Sequence, residues 1–557
     1  MYAIFAALPI IVALVMMVGF RKKSGISLVA AWFASIILAI GIWNLSVGDA
    51  IGLTVLGFVS AINVLLIVFA AIFLLNAMIE LKFIETIGNG FKGITQDRRI
   101  QIIIIAYLFG AFIEGAAGFG TPGALAAPLL VGLGVPVFFA ALSSLMANYS
   151  PVLFGAVGIP PVQGFDTVRG PIEALGYNAD AVFHNLNTMA AFTNIFVGSF
   201  VPFLIISAIV VRDGRKQGLK NAFNIFPLCL FAGVLFTVPV FILSHVGPEI
   251  PTLLSSLIAL PVFIFAVKKG FLVPKEEYRF QDDPIIEANE SSNTGISLVT
   301  AWSPYVIIAG LLALTRVPWL PIRDFINPAP AAIWATGTSF MLPNFVIAIP
   351  DFLGMAGRNF TFPILNNPGL FPFIPVAIIF LIARKTSGET IAKISKKTFN
   401  QLKNAILALC FGVALVQVMR FTNQTNTEVF SMTAQIARSL ADAFGGGFPI
   451  VGPLIGAFGA FISGSHTVSN LMFYSLQLDV AQNLGMPIVL ILIGQTSGAS
   501  IGNMIAIHNA VAISATTGFK EGEGKLIAAA AVPFIICSLA ISAIMFIYLA
   551  LGTYFLA

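Results

Sequence analysis

The apolar stretch from Arg99 to Gly134 is interrupted at its centre by the segment 114–122, with the sequence EGAAGFGTP. A lone membrane helix with such a break would leave backbone polar groups unpaired in hydrocarbon, so the segment must fold against protein or a water-filled cavity. The break also carries a carboxylate, Glu114, and ionisable groups at membrane depth are costly and usually functional. We therefore expect a functional site at this break.

The remainder of the chain is typical of a membrane protein. It is 58% hydrophobic and 10% charged, with a mean hydropathy of +0.96, whereas soluble domains carry roughly 25% charged residues. We predict an all-α polytopic membrane protein with about 12 transmembrane helices and two re-entrant hairpins in an inverted repeat. The spanning helices are expected near residues 2–20, 26–45, 50–80, 136–158, 182–211, 224–243, 251–267, 298–315, 368–383, 404–420, 486–510 and 526–556.

Charge and cysteine usage exclude several other classes. The sequence pI is about 9.0, but the basic residues lie in short loops and form no patch for nucleic acid. The three cysteines lie inside apolar runs, which favours neither disulfides nor a metal site. No nucleotide-binding, zinc-protease or redox motif is present, so we expect no enzyme, no metal and no cofactor. The sequence does not fix the oligomeric state.

The distribution of basic residues predicts the topology. With the N-terminus outside, the cytoplasmic loops hold 23 of the 29 Lys and Arg residues, as the positive-inside rule requires. Counting crossings between charged loops then makes 100–134 a hairpin entering from the cytoplasm, with neither piece long enough to span. The same argument makes 448–484 a hairpin entering from outside. The proline-interrupted segment 331–349 is expected to be partly embedded.

The two predicted hairpins resemble each other in sequence. AFIEG at 111–115 corresponds to AFISG at 460–464, and GLGVP at 132–136 corresponds to NLGMP at 483–487. We therefore predict a first inverted repeat over residues 1–215, linking helices and a cytoplasmic loop over 216–297, and a second inverted repeat over 298–557. Inverted repeats with discontinuous helices are the architecture of secondary transporters.

The breaks also supply the candidate site residues. Helix N-termini and glycines suit the carboxylate of a small organic anion. Glu114 is the first candidate proton carrier, because removal from water favours the neutral carboxyl, and His466 is the second. Each candidate could instead serve only in local pairing or helix packing. The candidate substrate-binding residues are Gly115, Gly118, Phe119, Gly120, Thr121, Asn148, Ser150, Ser465, Thr467, Asn470, Ser497, Ser500 and Asn503.

The chain resembles the L-lactate permease family over residues 110–130, 148–158 and 464–477. The resemblance implies a carrier that imports lactate, or in some members glycolate, with protons across the cell membrane of a bacterium or archaeon. Two positions depart from the family pattern. His466 stands where an acid is usual, and Asn503 stands where a lysine is usual, so the resemblance supports family membership more strongly than lactate specificity.

The leading expectation is thus a proton-coupled carrier of a small 2-hydroxy monocarboxylate, working in the lipid bilayer. A sodium-coupled carrier of carboxylates or dicarboxylates is one alternative, since unwound backbone and hydroxyls can bind a cation. An anion channel is the alternative from a different class. The two hairpins differ at corresponding positions, Glu114 and Ser463, and this asymmetry gives the channel alternative little support.

Overall fold

The computed structural model is a bundle of helices with one small sheet. It describes residues 2–20, 22, 24–91, 93–118, 120–214, 218–281, 294–316, 320–326, 340–341, 345–354, 360–423, 429–520 and 522–552. Long apolar runs form these helices because a helix satisfies all of its backbone hydrogen bonds internally, as a lipid environment demands. The prediction of an all-α membrane fold is confirmed.

The helices up to residue 268 include both long apolar helices and short connecting ones. They are α1 (Tyr2–Leu14), α2 (Ser24–Gly41), α3 (Val47–Glu80), α4 (Phe83–Gly90), α5 (Arg98–Ala116), α6 (Thr121–Gly132), α7 (Val137–Ala147), α8 (Gly155–Asp166), α9 (Arg169–Ala174), α10 (Ala179–Gly198), α11 (Val201–Arg212), α12 (Gly218–Phe223), α13 (Phe226–Ser244) and α14 (Pro251–Lys268). Helix α1 continues as a π-helical turn over Val15–Gly19.

The remaining helices begin at Leu298. They are α15 (Leu298–Arg316), α16 (Pro321–Ile326), α17 (Ile374–Ala383), α18 (Gly388–Arg420), α19 (Met432–Phe444), α20 (Phe448–Ser463), α21 (His466–Leu484), α22 (Ile488–Gly502), α23 (Ile507–Thr517) and α24 (Glu523–Leu551). Nine helices within the described ranges are long and apolar enough to cross a membrane, or eleven if each of two bent pairs is one span. The expected number of about 12 and the inverted repeat stay predictions.

Two very long helices, α3 and α18, pack along each other, while α2 packs on α18 and α1 packs on α2. Their contact is close because small residues face each other. A Cβ added to Gly57 of α3 would lie 2.5 Å from the Cα of Ala414 on α18. Small residues allow such close approach between membrane helices. Helix α18 runs from Gly388 to Arg420, so the predicted helix 404–420 is the second half of a longer helix.

The first predicted hairpin forms a helix–turn–helix unit, in which α6 folds back along α5. Helix α5 has 19 residues and its apolar window is fully buried, a length of about 28 Å. The expectation that neither piece could span is therefore wrong for the first piece. The helix starts earlier than predicted because the Asp97 side chain caps it, accepting from the backbone N–H of Arg99 at 2.9 Å.

A buried ion pair anchors the start of α5. Arg99 and Asp97 are joined at 2.6 Å, and both side chains are at most 4% exposed. Asp97 also accepts from the backbone N–H of Tyr278 at 3.1 Å, and Tyr278 accepts through its carbonyl from the N–H of Arg98 at 2.9 Å. The segment after α14 is thereby fastened to the base of the first hairpin.

The second predicted hairpin, α20 and α21, also folds back on itself and packs on α22. Small residues again permit the contact. A Cβ on Gly498 or Gly502 would overlap backbone atoms of Pro453 or Ala457 on α20. This tight packing holds the second tip against α22.

The helix predicted at 136–158 is bent at a break, so its expected continuity is wrong, whereas the helix predicted at 486–510 lies in one candidate span, Ile488–Ser514, which is interrupted by a short 3-10 turn. Helix α7 ends at Ala147 and is followed by a 3-10 turn, Pro151–Phe154, with a bend of 50° between the flanking pieces. Helix α22 ends at Gly502 and is followed by a 3-10 turn, Asn503–Ile505. Apolar periodicity does not register such breaks, since the residues on either side remain hydrophobic.

The segment 331–349 lies partly outside the described residues. Its described part contributes strands β1 (Phe340–Met341) and β2 (Val346–Ile349), which pair antiparallel with each other, and β2 pairs with β3 (Phe360–Pro363). This part is therefore extended and forms a small sheet.

Candidate functional site

Both hairpin tips and both broken helices meet at one cavity. The cavity itself has a volume of about 20 Å³, and the empty space reaches about 300 Å³ when the adjoining open solvent is included. Its lining combines a carboxylate, small polar side chains and glycines from segments that are far apart in sequence. The lining residues are Glu114, Gly120, Asn148, Val152, Gly155, Ala156, Pro160, Gly464, Ser465, His466, Thr467 and Asn503.

The turn of the first tip is made possible by glycines. Gly118 and Gly120 have φ values of +59° and +78°, a conformation that residues with a Cβ rarely adopt. The hydroxyl of Thr121 donates to the Gly118 carbonyl at 2.7 Å and fastens the turn at the start of α6. The predicted binding residue Phe119 lies outside the described residues.

Glu114 stands in the last turn of α5 and is 2% exposed. Its Oε2 has no hydrogen-bond partner among the described residues. Its Oε1 packs against Gly155, where a Cβ would overlap it, and a Cβ on Gly118 would lie 3.3 Å away. The two glycines thus make room for the carboxylate beside the cavity. Gly115, by contrast, packs against the backbone of Leu253 on α14, which gives it a structural role.

The second tip is closed by its own polar groups. The Ser463 hydroxyl donates to the Gly459 carbonyl at 2.7 Å and accepts from the N–H of Ser465 at 3.3 Å. Ser465 then caps α21, its side chain accepting from the N–H of Val468 at 3.3 Å. The predicted residues Ser465 and Thr467 both line the cavity.

His466 connects the second tip to the first half of the chain. Its Nδ1 lies 3.1 Å from the carbonyl oxygen of Val152, and its Nε2 lies 3.0 Å from Oγ1 of Thr496. A carbonyl only accepts, so Nδ1 carries the proton, and in the neutral ring Nε2 accepts from the Thr496 hydroxyl. This histidine is therefore fully bonded in its neutral form.

A buried polar network extends from this histidine. Asn470 donates to Thr496 Oγ1 at 3.3 Å and to the Pro160 carbonyl at 3.2 Å. Farther along, Gln477 donates to Gln495 at 3.1 Å. The predicted residue Asn470 thus joins the two halves and lies outside the cavity lining. Gln495 and Thr496 were not among the predicted site residues, since only their proximity to Asn470 and His466 reveals their part in this network.

The first helix break carries two predicted residues with different surroundings. Asn148 lines the cavity, and its Oδ1 has no hydrogen-bond partner among the described residues. Ser150 instead donates to Asn194 Oδ1 at 3.1 Å, while the Asn194 amide returns a bond to Ser150 at 2.9 Å. Ser150 thus fastens the break to α10, and Asn148 is left available to a ligand.

The second helix break places Asn503 in the cavity lining. Its Nδ2 donates to the Ala499 carbonyl at 3.0 Å, and its Oδ1 accepts from Asn509 Nδ2 at 3.3 Å. The other predicted residues of α22 lie outside the lining: Ser500 Oγ is 3.5 Å from His466 Nδ1, and Ser497 Oγ has no partner in the described part of the chain.

Helical hairpins and broken membrane helices that converge on a polar cavity define a multi-pass membrane transporter. The chain belongs to the L-lactate permease family, whose model matches residues 2–552. This confirms the resemblance inferred from the tip sequences and places the protein among transporters rather than enzymes.

Individual relatives cover most of the chain. It is 29% identical to the glycolate permease GlcA of Escherichia coli, over 94% of this chain and 91% of that protein. It is 26% identical to the L-lactate permease of Escherichia coli, over the same shares of the two chains. The L-lactate permease of Bacillus subtilis is 28% identical, over 83% of this chain and 80% of that protein.

Solved structures are more distant. The YdaH transporter of Alcanivorax borkumensis matches with a TM-score of 0.43 and 12% identity, over 90% of this chain and 88% of that chain. MtrF of Neisseria gonorrhoeae matches with a TM-score of 0.32 and 16% identity, over 83% of this chain and 82% of that chain. Neither likeness carries an argument about the site.

Proposed function

We propose that this protein is a secondary transporter that imports a small 2-hydroxy monocarboxylate, such as L-lactate or glycolate, together with protons. Its place is the cell membrane, as expected for a carrier that brings nutrients into a bacterium. Relatives named lactate permease and glycolate permease support the substrate class. No cofactor is needed, since the proton is the coupling ion.

The observation that carries the proposal is the state of Glu114. Its carboxylate is 2% exposed and lines the cavity, and Oε2 has no hydrogen-bond partner within the described residues. No ion pair of Glu114 occurs within those ranges either. An isolated charge in such a position is costly, so gain and loss of a proton are the natural chemistry of this group.

The substrate carboxylate would bind between the two tips. The first turns of α6 and α21 reach the cavity at Gly120 and at Ser465–Thr467. Helix N-termini carry backbone N–H groups and a partial positive charge, which together suit an anion. Asn148 lines the cavity, and its Oδ1, which has no partner among the described residues, would contact a polar substituent of the substrate.

Coupling follows from charge. A small cavity surrounded by protein cannot easily hold two negative charges, because like charges interact more strongly where protein replaces water. Substrate anion and ionised Glu114 would therefore oppose each other, whereas protonated Glu114 would admit the anion. A proton that binds before the anion and leaves after it makes one electroneutral load, and uptake is then driven by a proton gradient directed inward.

Purified protein in liposomes tests this proposal. Labelled L-lactate should accumulate when the outside is acidic relative to the inside, and a protonophore that collapses the gradient should abolish accumulation. A sodium gradient without a pH gradient should have no effect. Accumulation driven by sodium alone would favour a sodium-coupled carrier, and conduction that does not saturate with lactate would favour a channel. Either result would overturn the proposal.

A further inference from the structure

Asn509, in the first turns of α23, is a polar residue that the sequence interpretation did not select. Asn509 is 4% exposed. Its Nδ2 donates to Asn503, a lining residue of the cavity, but its Oδ1 has no hydrogen-bond partner among the described residues. A buried amide oxygen without a partner costs free energy, so a functional reason for it is expected.

The orientation of this amide is dictated by a chain of bonds. The carbonyl of Ala499 can only accept, so the atom of Asn503 that faces it at 3.0 Å must be the NH₂ group. The other side-chain atom of Asn503 is then an oxygen, and the atom of Asn509 that faces it at 3.3 Å must again be an NH₂ group. The free atom of Asn509 is therefore an acceptor.

This acceptor is aimed at the first tip. A Cβ added to Gly120 would lie 3.1 Å from Asn509 Oδ1. Gly120 precedes α6 and lines the cavity, so the acceptor lies directly behind the wall that the α6 N-terminus forms. No described residue bonds to this oxygen, and a ligand donor held at the α6 N-terminus would satisfy it.

We propose that Asn509 recognises the 2-hydroxyl group of the substrate by accepting its hydrogen bond. The inference rests on the proposed function. A 2-hydroxy acid carries a donor next to its carboxylate, so a carboxylate held at the α6 N-terminus places its hydroxyl near this acceptor. A 2-keto acid has only an acceptor at that position, and an unsubstituted acid has neither. Asn509 thereby selects hydroxy acids over both.

Competition for labelled L-lactate uptake in proteoliposomes tests this inference. Unlabelled lactate, propionate and pyruvate serve as competitors, since propionate lacks the hydroxyl and pyruvate replaces it by a ketone. In Asn509→Ala, we expect the preference for lactate over propionate to fall roughly tenfold, the value of about one hydrogen bond. Inhibition by propionate should stay within roughly twofold of its wild-type value, since propionate never used the bond.

Two further variants complete the design. Asn503→Ala removes the group that orients the Asn509 amide, so it should also reduce the preference for lactate over propionate. If Asn509→Ala does not fold, this variant tests the role of Asn509 in its place. Asn483→Ala is the matched control, because that side chain is exposed and its amide donates to the Asp479 carbonyl at 2.7 Å, away from the cavity lining. Its preference should equal that of the wild type.

The outcomes separate the two proposals. If wild-type protein takes up lactate but Asn509→Ala weakens lactate and propionate equally, the residue is structural and this inference alone is overturned. The same holds if the preference does not change. If wild-type protein takes up no lactate under any gradient, the proposed function is overturned and the inference with it.

Discussion

The two hairpin tips share the sequence Ala-Phe-Ile-X-Gly and line the same cavity, yet they differ in how their polar groups are satisfied. In the first tip X is Glu114, whose Oε2 has no partner within the described residues. In the second tip X is Ser463, whose hydroxyl is bonded to Gly459 and Ser465, and the neighbouring His466 is bonded through both ring nitrogens.

This difference indicates a division of roles. A group that already has its partners stabilises the structure and has little reason to exchange a proton, whereas a buried group without partners is poised to do so. We therefore infer that the first tip carries the coupling proton and that the second tip serves as an anchor for the anion site. Two tips of similar sequence can thus have different roles when the polar groups of one are hydrogen-bonded and those of the other are not.

The largest expected effect is that of Glu114→Gln. The amide has the same shape but cannot exchange a proton, so accumulation of lactate under a pH gradient should fall about 100-fold or more. Exchange of internal for external lactate needs no net proton movement and should persist. Labelled-lactate accumulation and exchange, measured on the same vesicles, check this prediction. Normal accumulation in the variant would remove Glu114 from the coupling step.

A smaller effect is expected for Gly155→Ala, which adds a methyl group where Oε1 of Glu114 lies. Overpacking of this kind costs about 1–3 kcal/mol, so uptake should fall about tenfold as the carboxylate is displaced. Gly170→Ala is the matched control, because a Cβ there meets nothing within 4 Å. Uptake kinetics of both variants test the prediction, and equal rates would show that the carboxylate tolerates displacement.

His466→Ala should separate stability from coupling. The variant loses two buried hydrogen bonds, one to the Val152 carbonyl and one to the Thr496 hydroxyl, at a net cost of about 1–3 kcal/mol. The melting temperature in detergent should fall by several degrees. The ratio of protons to lactate, measured from substrate-driven pH changes, should stay unchanged. A changed ratio would assign proton transfer to the second tip and contradict the inference that the first tip carries the coupling proton.

Ser463→Ala should have the smallest effect. The hydroxyl serves only the turn of the second tip, where its loss removes one net hydrogen bond of about 1 kcal/mol. Lactate KM and maximal rate should stay within roughly twofold of the wild-type values. A loss as deep as that of Glu114→Gln would mean that the two tips act alike.

Much of the architecture was predictable from local sequence. Gly118, Gly120 and Gly464 mark the turns of the two tips, and all have positive φ in the structure. An inverted repeat, which stays a prediction for this chain, is the arrangement that would bring two such tips together. The breaks at Asn148 and Asn503 were missed, because the helices before and after them are apolar and the periodicity of hydrophobic residues passes through without change.

The roles of polar residues were harder to predict. Asn148 and Ser150 lie two residues apart on the same break, and both were selected as substrate ligands. In the structure Ser150 is hydrogen-bonded to Asn194, while Asn148 lines the cavity and its Oδ1 has no partner among the described residues. Asn509 was not selected at all. Nothing in the local sequence distinguishes these cases, since each residue is a small polar group among apolar neighbours.

The sequence by itself thus determines which segments are apolar enough for membrane helices and where glycines end them. Hydrophobicity and backbone freedom are properties of a few neighbouring residues, so they can be predicted without the fold. Tertiary packing decides which buried polar groups find partners and which remain open to a ligand. The bond between His466 and Val152 joins residues 314 positions apart, and only the folded chain brings such atoms together.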